Sequence, residues 1–168
     1  MRPTPPALPE PPGDSDERSL LEGFLDMYRA VVVRKVEGLS DDLAGRAVVE
    51  SGTSVAGLVR HLRWVEHAWF VEALAGEPRP AWRADDPQWQ FRVGDEGLAV
   101  LVDEYLAAVD ESRTITAGLE LDAVGHNPHL GDVSLRWIYG HMVQETARHA
   151  GHLDILVEQL TGGVGFNA

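Results

Sequence analysis

Acidic and histidine side chains interrupt the apolar stripe of the helix that we predict over residues 134–160. Apolar residues recur along this segment at steps of three and four, and the positions that continue the stripe hold Glu145, His149 and His152. Residues at this spacing share one face of a helix, so polar groups occupy positions where a core-facing helix normally carries leucine. Burying such groups without partners costs a few kcal/mol each. We therefore predict that Glu145 and His149 bind a metal ion together with a ligand from another helix.

His61 is the predicted third ligand, because it lies at the edge of the apolar stripe of another predicted helix. Two histidines and one carboxylate suit zinc or iron(II) and leave coordination positions open for a reactant. In the alternative interpretation, His149 and Glu145 only hydrogen-bond each other in the core and no metal binds.

Two further histidines are candidate catalytic residues. His141 and His152 lie on the same side of the last helix as the predicted ligands, so each could orient a ligand or serve as an acid–base group that faces a substrate. Four other polar residues are expected at the surface, the last of them in an ion pair: His67, His126, His129 and Arg148. Four aromatic residues are interpreted as core or interface side chains: Trp64, Trp69, Trp137 and Tyr139.

Four long amphipathic helices position these residues, and they predict an all-α four-helix bundle. Their expected ranges are residues 14–16 to 38, residues 53 or 54 to 75, residues 95–117 and residues 134–160. Residues 77–93 predict a long crossover between the second and third helices that packs against the bundle through Trp82, Trp89 and Phe91. Residues 121–133 are interpreted as a second irregular link, and no strand is predicted.

The N-terminal segment and the rest of the chain have different compositions. Residues 1–13 contain six of the ten prolines, which predicts a disordered tail. Residues 14–168 are long enough for one domain with a sizeable core.

The charge balance and the absence of cysteine exclude several classes of function. The chain has 14 basic and 27 acidic residues and a formal net charge of −13, which argues against binding to nucleic acid or to an anionic membrane. Neither a transmembrane span nor a signal peptide is recognisable, so we expect a cytoplasmic protein. Because there is no cysteine, a metal must be held by His, Asp or Glu, and any reacting thiol must come from outside.

Three stretches resemble the DinB-like superfamily of metal-binding four-helix bundles: DERSLLEGFLDMYRA, SGTSVAGLVRHLRWVEHAWF and SLRWIYGHMVQETARHAGHLDIL. They occur in this order and cover nearly all of residues 16–160. The sequence is most similar to the branch with mycothiol-dependent maleylpyruvate isomerase-type N-terminal domains. The resemblance implies helices in up-down-down-up order, a homodimer, and a divalent metal held by His61, Glu145 and His149.

The resemblance also implies a function. Similar proteins are S-transferases or isomerases that use a low-molecular-weight thiol such as mycothiol, so we expect a small-molecule thiol and a small electrophile as partners. Zinc is the expected metal, with nickel or iron as alternatives. Two other functions remain open from the residues: a non-catalytic, stress-associated dimer that binds metal, and a metal-dependent hydrolase.

Overall fold

The computed structural model describes residues 8–11, 13–82 and 96–164, and this part of the chain is mostly helical. It contains five α-helices: α1 (Glu17–Val36), α2 (Asp41–Gly45), α3 (Val55–Glu66), α4 (Leu98–Thr116) and α5 (Leu135–Thr161). A π-helix (His67–Leu74) follows α3 directly, and the strands β1 (Val124–Asn127) and β2 (Gly131–Ser134) precede α5. The predominantly helical class is therefore confirmed.

Side-chain caps begin four of these helices, and the caps of α1, α3 and α5 lie at the helix starts expected from the sequence. The oxygens of four residues each accept a hydrogen bond from the backbone N–H three residues further on, and these residues are Asp16, Ser40, Ser54 and Ser134. Each cap satisfies a backbone donor that the first turn leaves unpaired. Gly162 ends α5 in the left-handed conformation, with φ of 76°, as expected for a C-terminal glycine.

The helix α4 begins differently, because its cap comes from a distant part of the chain. Gly97 precedes the helix and has no side chain, and the backbone N–H of Leu98 donates instead to Oδ1 of Asp41 in α2, at 2.7 Å. The start predicted at residue 95 lies outside the described residues. A cap supplied from a remote helix leaves no local signal in the sequence.

Two apolar clusters form the core. The helix α1 packs mainly on α5, and α3 packs on both α4 and α5. The first cluster includes the second half of α5 from Ala150 onwards, and the second cluster includes the first half of α5 as far as Met142. Glu145 and His149 therefore lie between the two clusters. The up-down-down-up order of a four-helix bundle stays a prediction.

The link predicted as irregular over residues 121–133 contains a hairpin, so the prediction of no strand was wrong. β1 and β2 pair antiparallel, from Val124 opposite Ser134 to Asn127 opposite Gly131. The Asn127 side chain accepts hydrogen bonds from the backbone N–H groups of the turn, and Gly131 has a φ of 77°, which favours glycine. Strands this short and polar have no alternating pattern to reveal them.

The π-helix after α3 was also not predicted, and the environment predicted for its first residue, His67, was wrong. His67 was expected in solvent, but it is buried, its Nδ1 lies 3.2 Å from Oε1 of Glu72, and its ring meets that of Trp82 edge-on. A π-helix pairs residues five apart, as His67 and Glu72 are. The side of the helix that the apolar periodicity assigns to solvent is covered here by Glu72 and Trp82, so His67 is buried.

Parts of two other predictions lie outside the described residues. The disorder predicted for residues 1–13 falls partly on residues 1–7 and 12, which lie outside the described residues. In the described part, Leu8 packs against the first apolar cluster. In the crossover, Trp82 contacts the guanidinium of Arg63, which is 3.9 Å from the ring centroid, whereas Trp89 and Phe91 lie outside the described residues. Among the described helices, none is long and apolar enough to cross a membrane.

Candidate metal centre

The three predicted ligands converge on one point between α3 and α5. Nε2 of His61 lies 3.2 Å from Oε1 of Glu145, and Nε2 of His149 lies 3.1 Å from the same oxygen. Both histidines are buried and the Glu145 side chain is 14% exposed. Glu145 and His149 meet because residues four apart on a helix are neighbours. His61 reaches them because α3 packs on α5.

The donor set fits a divalent metal ion. One nitrogen or oxygen atom from each of His61, Glu145 and His149 lies within 4.8 Å of the other two. Ligand atoms about 2.1 Å from a tetrahedral ion are about 3.4 Å apart, close to the two observed nitrogen–oxygen distances. Two imidazoles and a carboxylate are ligands that zinc, iron and nickel accept. These residues could therefore hold an ion after small side-chain movements.

The carboxylate of Glu145 has different partners at its two oxygens. Oε1 faces the two imidazoles, while Oε2 lies 3.4 Å from Nη1 of Arg148, whose side chain is 51% exposed. The hydrogen bonds from His149 and then His61 hold the pKa of Glu145 well below its usual range, so this carboxylate is ionised. Arg148 forms the surface ion pair that was predicted for it.

His152 contacts a predicted ligand and is exposed, so its place on the buried stripe was wrong. Its Nδ1 lies 3.3 Å from Nδ1 of His149, and partial burial followed by the nearby His149 lowers the pKa of His152. A hydrogen bond between two Nδ1 atoms requires that one of them carries the proton. This contact suits a residue that orients the His149 ring. The buried stripe of α5 passes instead through Thr146.

His141 lies one turn before Glu145, between two tryptophans. Its ring stacks on Trp137, with centroids 5.2 Å apart and planes 8° apart, and its centroid lies 4.5 Å from that of Trp69 in the π-helix. It is partly buried, and this desolvation lowers the pKa of His141 although Glu145 opposes the shift. The imidazole is therefore neutral at neutral pH and has a fixed ring plane.

Of the remaining residues that the sequence analysis considered, some lie at the surface and others lie close to the candidate metal centre. His126 and His129 are exposed on the hairpin, as predicted. Trp64 stacks on the His61 ring at 6.2 Å, and Trp69 packs in the second apolar cluster. Trp137, interpreted as a core or interface residue, is 43% exposed. Its position four residues before His141 was the available signal that it belongs with the site.

Four residues at intervals of four, which we call the α5 row, thus run from the start of α5 to the predicted ligands: Trp137, His141, Glu145 and His149. The family model of the mycothiol S-transferases matches residues 20–162, a range that contains the whole row and His61. The chain belongs to this family. Mycothiol S-transferases are members of the DinB-like superfamily, so the resemblance stated from the sequence is confirmed. No curated protein matches the chain significantly.

Proposed function

We propose that this member of the mycothiol S-transferase family is a metal-dependent enzyme that transfers mycothiol to a small electrophile. His61, Glu145 and His149 hold the divalent ion, with zinc as the first choice and nickel or iron(II) as alternatives. The observation that carries the proposal is the convergence of two imidazole nitrogens on one carboxylate oxygen, in a chain of this family. A bound ion would stabilise the thiolate form of an incoming thiol at neutral pH.

The chain's own residues supply the surroundings of the reaction. The sulfur forms a bond to an electrophilic carbon of the second substrate. The thiol proton ends on the neighbouring atom of the electrophile in an addition, or leaves with the displaced group in a substitution, so no oxidant or reductant is required. His141 is the proposed proton acceptor, because its imidazole is neutral, partly accessible and one turn from Glu145. His152 is a positioning residue that orients His149.

The absence of cysteine supports a borrowed nucleophile, since the protein has no thiol of its own to react. We also propose that α1, α3, α4 and α5 form the four-helix bundle in up-down-down-up order, that two chains form a homodimer, and that the protein is cytoplasmic. The packing of α1 on α5 and of α3 on both α4 and α5 supports the bundle.

Thiol consumption tests the function. Purified protein loaded with zinc, nickel or iron(II) should consume mycothiol in the presence of a reactive electrophile, and a chelator should stop the turnover. His141→Gln should lower kcat and weaken the rise of kcat with pH that a proton acceptor produces. His129→Gln, on the exposed hairpin, is the matched control and should leave both unchanged. A chain that binds metal but consumes no thiol with any electrophile would instead be the non-catalytic dimer. Hydrolysis without thiol would indicate the hydrolase.

A further inference from the structure

An open cleft lies beside the start of α5, at the end of the α5 row that is farthest from the proposed metal ligands. It has a volume of about 430 Å³, and five residues of the hairpin and α5 line it: Leu130, Asp132, Val133, Ser134 and Trp137. The cleft combines one broad aromatic surface with a carboxylate and a hydroxyl. Such a lining suits a ligand that has both an apolar face and several hydroxyl groups.

The indole of Trp137 is held in a fixed orientation. The His141 ring stacks on it, and the Trp69 ring lies 5.2 Å away with its plane tilted by 48°. These contacts support the indole, and 43% of the residue stays exposed to solvent. A rigid aromatic side chain contributes contact area with little loss of conformational entropy when a ligand binds.

The polar groups of the cleft can exchange hydrogen bonds with a polyol. The Asp132 side chain is 78% exposed, and only its Oδ1 is near a partner within the described residues, Nδ1 of His126 at 3.0 Å. The hydroxyl oxygen of Ser134 accepts a hydrogen bond from the backbone N–H of Trp137, and the hydroxyl can still donate its proton to another group. A carboxylate accepts from neighbouring hydroxyls and a serine donates to them.

Burial increases along the α5 row from the cleft to the ligands. Trp137 is 43% exposed, His141 is half-buried, and the side chains of Glu145 and His149 are 14% and 10% exposed. Trp137 and Glu145 are eight residues apart, which is about 12 Å along a helix. A ligand that lies along this row would have its reactive end in the buried part and its polar end in the cleft.

We infer that this cleft binds the sugar part of the thiol, with Trp137 stacked against a saccharide ring and Asp132 and Ser134 bonded to ring hydroxyls. The inference rests on the proposed function. Mycothiol is a cysteine derivative that carries two polyhydroxylated six-membered rings. Its sulfur at the buried ligands would leave these rings to extend along the row towards Trp137. The cleft therefore selects a glycosylated thiol over a simple one.

Kinetics with two thiols test this selection. N-acetylcysteine is the reference thiol, because it has no sugar. Trp137→Leu should lower kcat/KM for mycothiol by about tenfold or more beyond any loss with N-acetylcysteine, because losing the contact with His141 affects both thiols whereas losing the contact with the sugar affects mycothiol alone. Asp132→Ala changes an exposed side chain and should raise KM for mycothiol alone. Ile155→Ala, an exposed apolar residue at the other end of α5, is the control.

A binding measurement separates this inference from the proposed function. The thiol-free glucosaminyl-inositol part of mycothiol, titrated into wild-type protein, should shift the indole N–H signal of Trp137 in an NMR spectrum, and Asp132→Ala should weaken that titration. An unchanged kcat/KM for mycothiol in Trp137→Leu, or equal losses with both thiols, would overturn the inference. If wild-type protein consumes no thiol, the proposed function fails, and the titration alone decides whether the cleft binds the sugar.

Discussion

Removal of one metal ligand should lower metal content and thermal stability together. His61 and Glu145 come from α3 and α5, and the site lies between the two apolar clusters, so the three ligand atoms are brought together only by the folded chain. An ion that binds only the folded state stabilises it by mass action, about 2.7 kcal/mol at a free concentration of one hundred times Kd. For a domain of this size, each kcal/mol shifts Tm by about 2–4 °C. The expected loss on adding a chelator is therefore about 5–11 °C.

The assay is elemental analysis and calorimetry of protein purified without a metal-affinity resin. His61→Ala and His149→Ala should contain no ion and should not respond to the chelator. Glu145→Gln should bind more weakly but still measurably, because an amide oxygen can coordinate without bringing a charge. His126→Ala is the matched control, since this histidine lies on the exposed hairpin, where its side chain pairs with Asp132. It should behave as wild type.

One result would refute the metal centre. If wild-type protein holds less than about a tenth of an equivalent of any transition metal, and zinc, nickel and iron(II) all fail to raise its Tm, no ion binds at this site. The contacts of His61 and His149 with Glu145 would then be hydrogen bonds of a metal-free core. In that case His61→Ala should act only as a packing change.

Three further outcomes are expected. Glu66→Gln breaks a buried bidentate pair with Arg29 and should lower the free energy of unfolding by about 3–5 kcal/mol, or Tm by roughly 6–20 °C. Glu104→Gln, in a partly exposed pair with Arg63, should lower it by under about 1 kcal/mol. Equal effects of the two substitutions would contradict this prediction. Gly125→Ala would place a Cβ in overlap with the carbonyl oxygen of Ala73 in the π-helix, and it should lower the free energy of unfolding, measured in denaturant, by about 1–3 kcal/mol. Gly140→Ala is its control, because a Cβ there has open space and should not destabilise the protein. Light scattering should give the mass of two chains, and a monomer across micromolar concentrations would reject the dimer.

The proximity of the three proposed ligands was predictable because most of its signal is local. Glu145 and His149 are four residues apart on one helix, so their proximity follows from the α-helical repeat alone. Their place between apolar residues then marked them as more than a solvated pair. His61 followed from its place beside an apolar stripe, and a helix packing on α5 brought it to the same point. The side-chain caps were predictable for the same local reason.

The hairpin, the start of α4 and the burial of His67 were not predictable, because contacts between distant residues determine them. β1 packs against the π-helix, where the glycine at position 125 is required by a neighbouring backbone. The cap of α4 is Asp41, far away in sequence. The burial of His67 depends on Trp82, which lies in the crossover after the π-helix and packs against the His67 ring.

The continuous segment formed by α3 and the π-helix contacts both ends of the α5 row. His61 in α3 faces the ligand end of the α5 row, and Trp69 in the π-helix contacts the other end through His141 and Trp137. Each residue of an α-helix turns the chain by about 100°, so a change in period between positions 61 and 69 changes which side chains share a face. π-Helical turns occur often at functional sites. Here Trp69 in the π-helix contacts Trp137 and His141, while His61 in α3 keeps its contacts with Glu145 and His149.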